Sequence, residues 1–312
     1  MKILASLPLV ALSGFLNAAP MVEFETPMRV FETLSSDAMQ GRQTGTPGGD
    51  MAREFLISEI SKFTGFSETS QQLFDVIPRG STEDNSDKIK GTNLIGLFDV
   101  DDNNTGPLLV ITAHYDHLGS DKDGKIFNGA DDNASGSAAL FAIAQSFQKV
   151  APEHDVMIAW LDAEEMRLQG ARALVKHYQQ FNGRPVFNLN LDMVSQNKDT
   201  IYYSGSYHYP LAKPFIEKAA KTAEVTVLFG HDRPEDGQND WTNQSDHAAF
   251  HAVGIPFGYF GVEDHPHYHS VSDEFDTIPQ AFYKNSIQTI VNAAHLLEEN
   301  LEQLAKPAKV SE

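Results

Sequence analysis

Apolar residues in this chain gather in short dense runs, separated by polar, turn-rich stretches. The run 108–113, LLVITA, is too short for a helix and rich in β-branched residues, so it predicts a buried strand. Segments 155–161 (DVMIAWL) and 186–191 (VFNLNL) read the same way. Further strands are predicted at 66–75, 92–100, 201–204, 225–229 and 254–260. Helices are predicted over 24–39, 46–63, 134–150, 169–181, 210–223 and 279–304, with a short one opening at Ser245-Asp246-His247. Thr46 precedes Pro47 as an N-cap precedes a first-turn proline, and Asn133 is placed to cap the helix after it. This alternation implies an α/β fold, a three-layer sandwich with a mixed, mostly parallel central sheet flanked by helices. The sequence contains no internal repeat, heptad array or low-complexity tract.

Composition narrows the partners. The 312 residues suffice for a sizeable core, and a formal net charge of -20 argues against nucleic acid and anionic membrane as partners. An acidic surface suits cations, either metal ions or a protonated amine. Cysteine is absent, which removes disulfides and thiolate ligands. The first 19 residues combine Lys2, an apolar segment over 3–16 and the small pair Ala18-Ala19. That is the layout of a secretory signal, too short to span a bilayer as a mature helix. The expectation is an exported protein, periplasmic or secreted, with 20–312 as a single domain.

The three central runs each end in groups that bind metals or move protons. His114, Asp116 and His117 follow the first, Asp162-Ala163-Glu164-Glu165 the second, and Asp192 the third. A glycine-bearing loop adds Asp131-Asp132-Asn133, and a late loop carries His265, His267 and His269. Open α/β sheets place their sites at the carboxyl ends of such strands. Without cysteine, zinc needs imidazole and carboxylate. The candidates are His114, Asp131, Glu164 or Glu165, Asp192 and one late histidine. A carboxylate between two ions can bridge them, and the remaining glutamate is then free to take a proton from water.

Five strings occur in order: His114-x-Asp116, Gly129-Ala130-Asp131-Asp132-Asn133-x-Ser135-Gly136, Asp162-Ala163-Glu164-Glu165, Asn190-Leu191-Asp192-Met193 and Tyr268-His269-Ser270. Together they resemble the zinc aminopeptidases of peptidase family M28, over roughly residues 90 to 300. The resemblance implies a compact α/β sandwich of the zinc exopeptidase type and two zinc ions. It implies His114 and Asp192 on one ion, Glu165 and His269 on the other, and Asp131 bridging. Asp116 would orient the His114 ring, and Glu164 would be the general base. A cis peptide is expected at Asp131–Asp132. Tyr268 either polarises the scissile carbonyl or packs. His117, His247, His265 and His267 compete as ligands, with His265 and His267 read as loop residues or substrate contacts. Asp246 matches a recurrent family segment in which its role could be structural. Met166-Arg167-Leu168 is less glycine-rich than the family's usual sequence there, which would alter the pocket wall.

The expected activity is removal of the amino-terminal residue from peptides with a free N-terminus. A carboxypeptidase would need arginines to hold a substrate carboxylate. Of Arg167, Arg172, Arg184 and Arg233 in the later part of the chain, Arg233 lies in the polar loop 230–244, expected to shape the site entrance. Two alternatives are carried: a glutaminyl cyclase-like single-zinc acyltransferase, and a carboxypeptidase of the same family. A non-catalytic binding protein on this scaffold would be expected to have lost ligands.

Overall fold

The computed structural model describes residues 19–81, 88–101, 103–177 and 183–307. The predicted signal sequence, apart from Ala19, and the end of the helix predicted to reach 181 lie outside these residues.

The chain enters through α1 (Glu25–Leu34) and a 3-10 turn, Asp37–Arg42, then α2 (Pro47–Lys62). The helix predicted over 24–39 therefore stops five residues early, and Gln40, Gly41 and Arg42 all take positive φ beyond it. Thr46 Oγ1 accepts from Gly49 N, as expected of a cap. Strands β1 (Glu68–Val76), β2 (Ile89–Phe98) and β3 (Leu108–His114) follow, then the two-residue strands β4 (Gly119–Ser120) and β5 (Ile126–Phe127). Next come α3 (Gly136–Lys149), β6 (Asp155–Leu161), α4 (Gln169–His177), β7 (Pro185–Leu191), β8 (Thr200–Ser204), α5 (Lys213–Ala220) and β9 (Thr226–Phe229). The chain finishes with α6 (His247–Ala252), β10 (Phe257–Gly261), α7 (Gln280–Glu298), α8 (Leu301–Leu304) and β11 (Lys306–Pro307). The helix predicted over 279–304 is thus two helices, broken at Glu299-Asn300.

The main sheet runs β1-β2-β6-β3-β7-β10-β8-β9, with β11 against β7. Its centre is parallel, since β3 pairs in parallel with β6 and β7, and β7 with β10. Antiparallel pairs β1–β2, β2–β6 and β8–β10 make the whole sheet mixed. The period of two along each central strand divides the core into layers. Leu109, Ile111, Val156, Ile158 and Trp160 pack in one cluster with residues of α1, α3 and α7. Leu108, Val110, Met157, Ala159 and Leu161 pack in another with residues of α4 and α6. Both faces are covered, so β3 and β6 are buried along their whole length. This is the expected three-layer α/β sandwich, and its parallel centre brings the ends of β3, β6 and β7 to one edge.

The interior of β7 is more polar than its reading as an apolar run implied. Asn188 and Asn190 are fully buried. Asn188 Nδ2 donates to Val110 O and to Thr112 Oγ1, both at 3.1 Å. Asn190 accepts from Thr112 Oγ1 at 2.7 Å and donates to Ser245 Oγ at 2.9 Å. These bonds offset part of the cost of burying the two amides, although Asn188 Oδ1 has no partner among the described residues, and they tie the strand ends to the segment entering α6.

Candidate metal centre

At the end of β3, His114 is buried and its Nδ1 lies 3.2 Å from the Asp116 carbonyl. The Asp116 carboxylate is farther from that ring, at 3.6 Å. It instead accepts from Glu164 N at 3.0 Å and Glu165 N at 3.3 Å, which fixes the turn after β6. Asp116 therefore orients His114 mainly through its backbone. With Nδ1 so engaged, Nε2 faces Asp192 Oδ1 at 3.3 Å and Asp132 Oδ1 at 3.4 Å.

Two groups of potential ligands converge, each with its donor atoms within 4.8 Å of one another: His114, Glu164 and Asp192, and His117, Asp132 and Glu165. His269 joins the second, its Nε2 lying 3.0 Å from Asp132 Oδ2 and 3.5 Å from Glu165 Oε1. Asp132 stands between the groups, one oxygen towards His114 and the other towards His269 and His117.

The residue expected to bridge was Asp131, and its carboxylate is turned elsewhere. Its Oδ1 accepts from Ser195 N and Ser195 Oγ, both at 2.7 Å, and its Oδ2 lies 3.0 Å from His265 Nε2. Those partners occupy the oxygens that a bridge would need, so Asp132 takes the central position. The cis peptide is likewise one residue later than expected, at Asp132–Asn133. Because α3 starts at Gly136, two residues later than predicted, Ser135 and not Asn133 is at the N-cap position; Asn133 still accepts from Gly136 N at 2.9 Å and donates to Leu191 O at 2.9 Å. Gly136 is needed there, because a Cβ would meet Asn133 Oδ1 and the Leu191 carbonyl.

The other histidines separate cleanly. His117 is fully buried against Glu165, with Nδ1 3.0 Å from Oε1. His265 serves Asp131, and His267 Nδ1 lies 2.9 Å from Ser272 Oγ. His247 Nε2 lies 2.8 Å from the Trp241 carbonyl, away from both groups. Tyr268 lines the cleft above the clusters and stacks on His269, with ring centroids 3.9 Å apart. Arg233 does not line the cleft; it lies over the Tyr207 ring, and the loop 230–244 contributes Gln244 to the wall.

Further residues support the site, and for two of them, Arg42 and Asp273, the sequence gave no signal. Arg42 is fully buried and donates to the carbonyls of Leu34, Tyr115, Asn128 and Gly129 at 2.5–2.9 Å. It staples the segment carrying Asp116 to the loop carrying Asp132, and its burial lowers its pKa to about 10. Asp273 accepts from Asp131 N at 2.9 Å and Asp132 N at 3.1 Å, holding that loop from the other side. Asp162 accepts from Thr44 Oγ1, Thr92 N and Tyr115 Oη and anchors the turn below Glu164. Asp246 is fully buried, and neither carboxylate oxygen has a hydrogen-bond partner among the described residues. Burial and the nearby Asp116 and Asp192 push its pKa up to about 8.

The electrostatics are those of crowded acids. Desolvation raises the Glu164 carboxyl well above the ordinary range, and Glu165 and Asp192 add to that. Glu165 is held low despite its burial, by the imidazoles of His117 and His269 beside its carboxylate. Burial alone would lower the pKa of His114, but Asp192 and Glu164 raise it well above its usual value. His269 reaches about 10: desolvation opposes the rise, and Asp132 and Glu165 drive it.

The donor set fits divalent ions. His117 Nδ1 and Nε2 and Glu165 Oε1 are buried without a hydrogen-bond partner among the described residues, although Nδ1 and Oε1 lie 3.0 Å apart. Buried polar atoms are rarely left so, and imidazole with carboxylate is the set that zinc takes in the absence of thiolates.

A mixed sheet between two helical layers, with paired His and carboxylate groups at its strand ends, is the framework of the zinc exopeptidases. Solved structures of that class share this fold. The zinc aminopeptidase BSAP of Bacillus subtilis matches with a TM-score of 0.71 and 16% identity, covering 94% of this chain and 99% of that one. A glutaminyl cyclase of Bacteroides thetaiotaomicron matches with a TM-score of 0.69 and 19% identity, covering 89% and 99%. Residues 93–294 match peptidase family M28, and the chain belongs to that family. A probable leucine aminopeptidase of Arthroderma otae is 27% identical over 202 residues, which are 61% of this chain and 54% of the relative. The chain spans from about a fifth to about half of the length of the curated relatives it matches. Among the described residues, no helix is long and apolar enough to cross a membrane.

Proposed function

We propose that this protein is an exported aminopeptidase that uses two divalent ions, zinc by choice of donors, to hydrolyse the first peptide bond of substrates with a free N-terminus. The observation that carries this reading is the placement of Asp132 between two ligand groups. His114 and Asp192 would hold one ion, Glu165, His269 and His117 the other, and Asp132 both. Residues 20–312 would form the catalytic domain, with residues 1–19 as its secretory leader.

Bound ions supply an acidified water and a positive field for the developing oxyanion. The chain's own residues do the rest. Glu164, whose carboxyl has a raised affinity for protons, accepts the proton of the attacking water and delivers it to the leaving amine. Asp116 holds Glu164 by its backbone N–H and keeps the His114 Nε2 lone pair directed into the site. Tyr268 would donate to the scissile carbonyl, a role supported by its stacking on His269 and its place in the cleft wall. The surrounding acids favour the ammonium of a substrate's amino terminus.

The test is metal content of the purified protein together with release of amino acids from short peptides, before and after Glu164→Gln. Two equivalents of zinc, and amino-terminal release that the substitution abolishes while zinc stays bound, are expected. One equivalent with no hydrolysis would replace this reading by a cyclase, in keeping with the fold shared with one. Release from the carboxyl end alone would keep the site and overturn the direction of attack.

A further inference from the structure

The cleft over the metal centre, about 240 Å³, has a wall unlike that of a pocket for an apolar side chain. Besides the acids and His269, two guanidinium groups line it, Arg79 and Arg167. Arg79 is already engaged: Nε donates to Glu165 O at 2.5 Å and Nη2 to Glu165 Oε2 at 3.0 Å. Arg167 is exposed, and none of its nitrogens has a hydrogen bond or ion pair among the described residues. The backbone that carries it is firmly set. Arg167 and Leu168 both lie in the left-handed region, at φ 75° and 58°, and Leu168 N closes the turn onto Glu164 O at 2.8 Å. Side chains other than glycine seldom adopt that region, and two in succession put Arg167 on the same rigid turn as Glu164 and Glu165.

A chain of net charge -20 thus presents an uncommitted planar cation at the rim of its reactive cleft. The group that a guanidinium recognises best is a carboxylate, taken in a two-point fork. We propose that Arg167, flanked by Arg79, forms a subsite for a carboxylate of the substrate. This rests on the peptidase reading above and names its substrate class: short peptides with an anionic group within one residue of the scissile bond. That carboxylate has two possible sources, the acidic side chain of the first residue or the α-carboxylate of a dipeptide's second residue. The scarcity of arginines in the later sequence pointed away from such recognition. The structure adds Arg79 from the early part and turns Arg167 into the cleft.

The experiment is calorimetric binding to the full chain in the presence of zinc, in the Glu164→Gln background so that nothing is turned over. One arm compares Ala-Ala with Ala-Ala amide. The other compares Glu-Ala amide with its neutral isostere, Gln-Ala amide. In at least one arm the carboxylate-bearing ligand is expected to bind at least about tenfold more tightly, as a charged hydrogen-bonded pair would give. Adding Arg167→Gln should erase the difference, and Arg167→Lys should restore part of it. Differences below about twofold in both arms, or a preference that survives Arg167→Gln, overturn the subsite. Hydrolysis by the wild-type chain, measured in parallel, separates the two readings. A binding preference without hydrolysis removes the peptidase and keeps the subsite, while hydrolysis without the preference does the reverse.

Discussion

Strand β6 begins at a buried acid and leads into a turn that carries two more, and the two ends treat their acids differently. At its start, Asp155 is fully buried, pairs with Arg184 Nη2, and accepts from Val100 N at 2.6 Å and Asp101 N at 2.9 Å. Every charge there has its counterpart within the protein. Past its other end lie Glu164 and Glu165, which converge with Asp132 and Asp192 on three histidines and the half-exposed Arg79. There the protein's own cations do not match its acids, and buried donors are left without partners. The comparison teaches that a buried acid is no mark of function by itself. What distinguishes the site is compensation left incomplete, which a bound cation would complete.

The largest effect should come from Glu164→Gln at the uncompensated end. Loss of a general base costs roughly 10²–10⁴ in kcat. Zinc content by mass spectrometry should stay unchanged, which would separate proton transfer from metal binding. Next come the two neighbouring aspartates. Asp132→Asn should empty both metal positions, whereas Asp131→Asn should weaken zinc about 10–100-fold, as loss of an outer support does. Equal losses on a zinc competition assay would refute the central placement of Asp132.

The compensated end predicts a change in stability and none in metal. Asp155→Asn leaves Arg184 without its buried partner, a loss of about 3–5 kcal/mol in denaturant unfolding. The melting temperature should fall by a similar amount with and without chelator, while chelation of the wild-type chain destabilises through the opposite end alone.

The smallest effect concerns His295, which packs from α7 against Ser146 and Phe147 of α3 and is held to a pKa of about 4 by burial, against about 6.5 when unfolded. Between those values the unfolded chain binds more protons. This group's contribution is therefore whole above pH 6.5 and lost as pH falls towards 4. His295→Gln should flatten the fall in stability between pH 7 and 5, measured on metal-free protein. An unchanged slope would mean that the site's own histidines control it.

Much of this was readable from the order of residues. Dense β-branched runs ending in acid or imidazole gave the parallel centre and the edge where its ligands gather. What could not be read was which of two adjacent aspartates faces inward. That depends on Ser195, His265 and Asp273, which are distant in sequence and bind Asp131 or its backbone. His117 was one of four histidines competing as ligands, and only the turn after β6 places Glu165 against it. The polar interior of β7 was hidden for a related reason: the side-chain amides of Asn188 and Asn190 donate to neighbours that no local pattern reveals.

Arg42 has a bearing on where the working unit begins. It stands some fifty residues before the span that matches the family, yet its one side chain ties together carbonyls from α1, from the segment after β3 and from the loop before α3. A chain trimmed to the matched span would keep all the ligands and lose their common tether. The loops that carry them would then sample many arrangements in place of one. The minimal enzyme should start upstream of residue 42, and its amino-terminal helices belong to the active site as much as to the scaffold.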